Sequence, residues 1–139
     1  MLSESPVQIM KIAVVILGIL LLAACSPAAE TPSLSADTLP TGNAEHGAEL
    51  FTASSNGAPA CSTCHTLDES QVIGPGMAGY GERAGSRISG TSAEAYTLES
   101  ITRPASFLVP GFANVMYTNY AAAYTPQEIA DLMAYLMSL

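Results

Sequence analysis

Two cysteines and a histidine stand together in the run Cys61-Ser62-Thr63-Cys64-His65. Two thiols separated by two residues, with an imidazole directly after the second, form a c-type haem attachment motif. The sulfurs can add to the two vinyl groups of one haem, and the imidazole then lies beneath the iron, for which histidine is a common ligand. The run therefore predicts one covalent haem c, held by Cys61 and Cys64, with His65 as the proximal iron ligand.

Two other chemistries use a Cys-x-x-Cys pair. A thioredoxin-like redox pair belongs with a βαβ unit, and the sequence shows no such pattern. A zinc site needs four ligands, and outside this run the chain offers only one cysteine, Cys25, and one histidine, His46. Both chemistries stay open as alternatives, and haem attachment is favoured.

The third cysteine ends an apolar segment near the N-terminus. Residues 12–24 carry no charge, Lys11 precedes them and Cys25 follows. Thirteen residues are too few for a membrane span, which needs about 20, but they suit the apolar part of a secretory signal. The run Leu22-Ala23-Ala24-Cys25 also resembles a bacterial lipobox. We therefore expect a lipoprotein signal peptide over 1–24 and lipidation of Cys25, with an uncleaved anchor as the alternative.

The expected location follows from the same segment. Haem c is attached outside the cytoplasm, so the predicted site is the extracytoplasmic face of a bacterial membrane. Because Glu4 is unusual in a signal peptide and Met10-Lys11 offers a more typical start, we also hypothesise that translation begins at Met10.

The remaining chain divides into a tether and one domain. Residues 26–42 are rich in Pro, Ser, Thr and Ala, which predicts a disordered or extended tether that holds the domain on the order of 40–50 Å from the lipid. Residues 43–139 then form a single small domain, for which a covalent haem supplies additional core.

The charge balance limits the possible partners. From Cys25 onward the chain has three basic residues (Arg83, Arg87 and Arg103), no lysine and eleven acidic residues. A net charge of 3 − 11 = −8 argues against nucleic acid as a partner and against electrostatic attraction to anionic lipid. We expect docking partners to be basic at their rim, or docking to be mainly apolar.

Helical patterns dominate the domain. Three helices are predicted, over Asn43–Ala53, Thr91–Arg103 and Thr125–Leu139, the last with a Thr125/Glu128 capping box and Pro126 at its first position. Pro104 ends the second of them. Gly- and Pro-rich loops are predicted over 54–60 and 70–90, and no alternating strand pattern occurs. The fold class is therefore all-α.

Taken together, these motifs resemble a class I monohaem cytochrome c of the bacterial, lipoprotein type from about Gly42 onward. The resemblance implies three to five helices and long loops around one haem. It rests on five features in the family's order: Gly47 and Phe51 in the first helix, CSTCH at 61–65, the Gly-Pro loop 74–83, the segment 96–116 and the ending 131–139.

The resemblance also implies roles for individual residues. The Pro75 carbonyl would accept a hydrogen bond from His65, Arg83 would pair with a haem propionate, and Met116 would be the distal iron ligand. Met77 is the main rival, but it matches a haem-packing position. Met133 and Met137 are expected to pack, and His46 to be solvated. Because Tyr117 stands where many relatives have proline, we expect the loop to hold Met116 less rigidly. The alternative is that Tyr117 or Tyr120 points its hydroxyl toward the haem pocket.

The predicted function is electron transfer, not catalysis. The resemblance implies a carrier of single electrons in a respiratory or photosynthetic chain, serving a quinol-oxidising complex and a terminal oxidase or photosynthetic reaction centre. The alternative is a resident subunit of alternative complex III or of a terminal oxidase. A haem-based sensor or peroxidase is a third reading, and it requires an open iron position. Apolar residues near Met116 are expected to shield the haem or to form a docking patch (Phe107, Leu108, Val109 and Phe112).

Overall fold

The computed structural model describes residues 34–139. The predictions for residues 1–33, which are the signal peptide over 1–24, the start at Met10 and the lipidation of Cys25, lie outside the described residues. Among residues 34–139, no helix is both long and apolar enough to cross a membrane.

Five α-helices and no β-strands make up this part of the chain, so the all-α prediction is confirmed. Single 3-10 turns lie at Ala36–Thr38, Cys61–Thr63 and Pro104–Ser106. The helices are α1 (Ala44–Thr52), α2 (Tyr80–Ala84), α3 (Ala93–Thr102), α4 (Tyr120–Ala123) and α5 (Pro126–Met137).

The three predicted helices begin and end where their local signals place them. The Asn43 side chain caps α1 by accepting hydrogen bonds from the first turn. Thr125 and Glu128 form the predicted capping box of α5. Ser92 caps α3, and Pro104 follows directly after its end. Each cap satisfies backbone N–H groups that have no partner within the helix.

Helices α1 and α5 cross at a glycine. A Cβ atom on Gly47 would overlap the Asp131 carbonyl and the Cβ of Tyr135, so only glycine permits this distance between the backbones. The rings of Phe51 and Tyr135 meet edge to face, with centroids 5.6 Å apart. Phe51 and Leu132 are almost completely buried at this crossing. The crossing therefore forms the base of the hydrophobic core.

His46 is exposed, as predicted, but it is also hydrogen-bonded to a buried residue. Its Nδ1 lies 2.7 Å from Oδ2 of Asp131, a buried carboxylate on α5. The other Asp131 oxygen accepts from the Asn43 N–H at 2.7 Å and from Gln127 Nε2 at 2.8 Å. A buried carboxylate needs such partners, and the side chain of His46, which is 45% exposed, supplies one of them.

Two short helices were not predicted. Helix α2 lies inside the predicted loop 70–90 and begins after Gly79, whose φ of +64° is left-handed. At its start the Gly81 N–H donates to the Leu139 carbonyl at 3.1 Å. A side chain at Gly81 would overlap the end of α5, so tertiary contact with the C-terminus fixes α2. Helix α4 is only four residues long, too short for its hydrophobic pattern to stand out.

Packed structure begins before the predicted domain boundary. Residues 34–42, which we call the N-terminal strap, were predicted to belong to the tether. Instead Leu34, Ala36 and Leu39 pack against the core. The Thr41 carbonyl accepts from Gln127 Nε2 at 2.9 Å, and Gly42 lies against the backbone of α5. The tether prediction therefore extends too far, because the structure places nine of its residues with the domain.

Candidate functional site

One cavity of about 370 Å³ brings most of the predicted site residues together. Its wall includes all six of the predicted haem-site side chains that the structure describes (Cys61, Cys64, His65, Pro75, Arg83 and Met116). The rest of the wall is mainly apolar and comes from α2, α3, α4 and α5, from the loop between α3 and α4, and from loop residues on either side of the cysteine run. These residues are far apart in the chain and meet only through the fold.

The two cysteines stand on a tight turn. Cys61–Thr63 form a 3-10 turn, and the His65 N–H donates to the Cys61 carbonyl at 3.0 Å. Cys61, Cys64 and His65 all line the cavity from this turn and the two residues after it. Both cysteines are free thiols. Burial raises the pKa of Cys61 to about 11.

The His65 ring is held by one hydrogen bond. Its Nδ1 lies 2.9 Å from the Pro75 carbonyl oxygen. Since a carbonyl can only accept, Nδ1 must carry the proton and donate. Burial lowers the pKa of His65, and the bond to Pro75 opposes that shift. The resulting neutral imidazole keeps the lone pair on Nε2 for a metal ion.

The Gly-Pro-Gly loop leaves the space that His65 needs. A Cβ atom on Gly74 would overlap the imidazole, and one on Gly76 would overlap the carbonyls of Asp68 and Ser70. The Gly74 N–H donates to the Cys64 carbonyl at 2.9 Å. This hydrogen bond connects the loop directly to the attachment turn. The overlaps explain why glycines flank Pro75, since any side chain at 74 or 76 would collide with these neighbours.

Arg83 points its guanidinium into the cavity wall beside the same loop. Nη2 donates to the Gly76 carbonyl at 2.5 Å, and Nη1 donates to the Ala78 carbonyl. The guanidinium also lies 5.9 Å from the centre of the Tyr80 ring. No acidic side chain of residues 34–139 forms an ion pair with it. Its charge is thus available to a carboxylate of a bound group, as the resemblance implies.

Both candidate methionines line the cavity, so position must distinguish them. Met77 is buried, and its N–H donates to the carbonyl of Thr66 at 2.9 Å, which places its backbone beside His65. Met116 comes from the separate loop between α3 and α4 and is half-buried. Met116 is therefore better placed than Met77 to approach a bound haem from the side opposite His65. The other pair, Met133 and Met137, lies outside the cavity wall.

Three tyrosines follow Met116 and stack on one another. The ring of Tyr117 meets that of Tyr120 edge to face at 5.0 Å, and Tyr120 stacks on Tyr124 at 5.8 Å. The Tyr120 hydroxyl donates to the Pro59 carbonyl at 3.0 Å. Burial raises the pKa of Tyr120 and Tyr124. Through these ring contacts the loop that carries Met116 and Tyr117 packs against Tyr120 of α4.

Several wall residues were missed by sequence reasoning. Tyr96, Ser100 and Ile101 project from α3 into the wall, and Leu136 does so from α5. Arg87 also reaches the wall. The helix pattern marked the α3 residues as apolar or neutral but did not show which face meets the cavity. Arg87 lies in the turn after α2, where no helical spacing pointed to it.

The residues present fit a covalent haem. Two cysteine sulfurs, an imidazole with one free nitrogen and a thioether all reach one apolar cavity, and an arginine with no ion-pair partner among residues 34–139 reaches its wall. Among residues 34–139 no cluster of three His, Cys, Asp or Glu side chains is arranged to hold a metal ion by itself. The fold and the site thus define a small all-α protein that binds haem through two cysteines.

The comparison with protein families agrees with this class. The sequence model of the family named Cytochrome c matches residues 44–139, and the chain belongs to that family as a class I cytochrome c. Its cofactor is one covalently attached haem c, and it is a haem-based electron carrier, not an enzyme. Neither the curated proteins nor the solved structures gave a match to the chain.

Proposed function

We propose that this cytochrome is a lipid-anchored carrier of single electrons in a respiratory or photosynthetic chain, at the extracytoplasmic face of a bacterial membrane. Cys25 would carry the lipid, and His65 and Met116 would be the iron ligands. The observation that supports this most is the meeting of Cys61, Cys64, His65 and Met116 on one cavity.

Haem c, when bound, supplies a one-electron iron couple, and the protein's task is to keep that couple stable. Cys61 and Cys64 would hold the group covalently. His65, fixed by its hydrogen bond to Pro75, would offer Nε2 to the iron, and Met116 would offer its sulfur as the second protein ligand. Arg83 would offset the charge of a propionate at the wall. Two protein ligands held by the fold would limit rearrangement during electron transfer.

The electron-exchange surface is proposed to be the cavity mouth. Leu108 and Val115 are 43% and 61% exposed there, and Ile73 is 49% exposed on the His65 side. The whole segment 104–127 carries no charged side chain, in a protein of net charge −8. An uncharged apolar surface of this kind suits docking by desolvation. Donor and acceptor would be a quinol-oxidising complex and a terminal oxidase or photosynthetic reaction centre.

The iron ligands are tested by the absorption spectrum of the holoprotein, oxidised and reduced, with and without carbon monoxide. We expect a weak far-red sulfur-to-iron band in the oxidised form and no reaction of the reduced form with carbon monoxide. Met116→Ala should abolish the band and admit carbon monoxide.

Met77→Ala is the matched control, since Met77 lines the same cavity, and it should retain the band. If Met77→Ala loses the band instead, the two methionines exchange roles. If the wild type lacks the band and binds carbon monoxide, the carrier proposal gives way to sensing or catalysis.

A second candidate is a resident electron-transfer subunit of a larger membrane complex, such as alternative complex III or a terminal oxidase. The observation that favours it is the N-terminal strap, which shortens the free tether. Co-purification with such a complex after mild detergent extraction distinguishes a resident subunit from a carrier that is released.

A further inference from the structure

The N-terminal strap changes how far the domain can move from a membrane. Strap residues alternate between the surface and the core: Leu34, Ala36 and Leu39 are half-buried against the core, and the residues between them are exposed. The family match starts only at residue 44. The strap therefore lies outside the residues that the family model matches, and it also lies outside the cavity wall.

Three kinds of contact hold the strap. Apolar side chains pack on the core, and the 3-10 turn Ala36–Thr38 lies beside α3. The Thr41 carbonyl accepts from Gln127 Nε2 at 2.9 Å. A Cβ atom on Gly42 would overlap the Ala130 carbonyl and Ala134, so this glycine lets the chain lie directly on α5. The strap thus connects two helices that also build the haem site.

Strap packing limits the length of free chain. Between Cys25 and Leu34 only residues 26–33 remain, eight in number. Whatever their conformation, the nine steps from Cys25 to Leu34 span at most about 30 Å. With the strap released, the eighteen steps from Cys25 to Asn43 would span at most about 60 Å.

We propose that the strap is a short leash, which confines electron exchange to partners in the same membrane whose exchange sites lie close to its surface. This proposal rests on the lipid anchor of the proposed function. A carrier on a long tether reaches partners at many heights and angles. A domain held within about 30 Å at its first packed residue does not.

Energy transfer in vesicles tests the leash. The lipidated holoprotein is bound to phosphatidylcholine vesicles that contain a headgroup-labelled fluorescent lipid, whose emission the haem absorbs and therefore quenches. One variant has nine Gly/Ser residues inserted between Ser33 and Leu34, a number equal to the length of the strap. A second, Leu34→Ser with Leu39→Ser, releases the strap.

We expect the wild type to quench most strongly and both variants to lose about half or more of the quenching, because the maximum reach roughly doubles. Hydrogen exchange of residues 34–42 should be slow in the wild type and in the insertion variant, and fast in the double serine variant. Leu67→Ser with Val72→Ser is the matched control, because these exposed residues lie outside both strap and cavity wall, and its quenching should equal that of the wild type.

Equal quenching by the wild type and the insertion variant overturns the leash while leaving the lipid anchor intact. Because the insertion does not alter the packed domain, the comparison of the wild type with the insertion variant stays valid even if the double serine variant fails to fold. A wild-type protein that does not co-sediment with the vesicles overturns the lipid anchor itself, and with it the leash.

Discussion

At the scale of single residues, the haem site depends on how His65 is held. Its Nδ1 donates to the Pro75 carbonyl, and its ring fills the space that Gly74 leaves open. The ring cannot turn away without losing that hydrogen bond. The donor strength of Nε2 and the orientation of the imidazole are therefore set by two backbone positions and not by any charged neighbour.

Gly74→Ala tests this arrangement. The new methyl group overlaps the imidazole, so we expect His65 to shift, the bond to Pro75 to be lost, and the free energy of unfolding to fall by about 1–3 kcal/mol, as overpacking costs. Denaturant titration of the holoprotein measures the fall, and the absorption spectrum reports the ligand. Gly85→Ala is the matched control, because a Cβ atom there makes ordinary contacts. Equal effects of both substitutions would contradict the prediction.

The buried carboxylate of Asp131 shows what sequence reading misses at this scale. Burial acts to raise the pKa of Asp131, but hydrogen bonds from His46, Asn43 and Gln127 outweigh it, so the pKa lies below its ordinary value. The bond to Asp131 likewise raises the pKa of His46. This contact was not predicted from the sequence, because His46 and Asp131 lie 85 positions apart along the chain.

At the scale of elements, the His46–Asp131 pair joins α1 to α5. The charge on His46 should make the stability of the crossing between these helices depend on pH. A histidine whose pKa is raised on folding stabilises the folded state fully below its unfolded pKa of 6.5. That contribution is lost as the pH rises through the folded value. We therefore expect the free energy of unfolding to fall between pH 6 and pH 8.

Denaturant titration of the holoprotein at both pH values measures this fall. In His46→Gln the fall should largely disappear, since the chain's other histidine, His65, lies in the haem site. Asp131→Asn should also remove it, because it removes the partner that raises the His46 pKa. An unchanged pH dependence in both variants would show that another group titrates.

The elements differ in what fixes them. Helices α1, α3 and α5 have caps and apolar spacing within their own sequences, and they were predicted within a few residues. Helix α2 has no side-chain cap and forms against the C-terminus, through Gly81 and Leu139. Its existence therefore depends on packing that no local pattern records.

At the scale of the whole molecule, the distribution of charge determines how partners can approach. Acidic residues dominate the chain, yet the segment 104–127, which lines the cavity mainly through residues 104–117, has no charged side chain. Leu108 and Val115 are exposed on it. In the proposed function this uncharged surface is the docking site, where contact relies on desolvation.

Electron transfer to a membrane partner should consequently depend little on salt. We expect the rate at which membranes containing the quinol-oxidising complex reduce the holoprotein to change less than about twofold between low and high ionic strength. Leu108→Ser with Val115→Ser should slow it several-fold, while the control Leu67→Ser with Val72→Ser should not. A steep fall in rate with salt would show that charge steering dominates docking.

The sequence by itself determined the attachment run, the three capped helices, the all-α class and the family resemblance, because each depends on residues close together or on a fixed order of motifs. The roles given to Pro75, Arg83 and Met116 came from that resemblance. Only the tertiary structure decided which α3 side chains reach the cavity, that Asp131 binds His46, that α2 forms, and that the domain begins at the strap. All four depend on contacts between segments that are distant in the chain. The free energy of such contacts cannot be read from the residues of one segment alone.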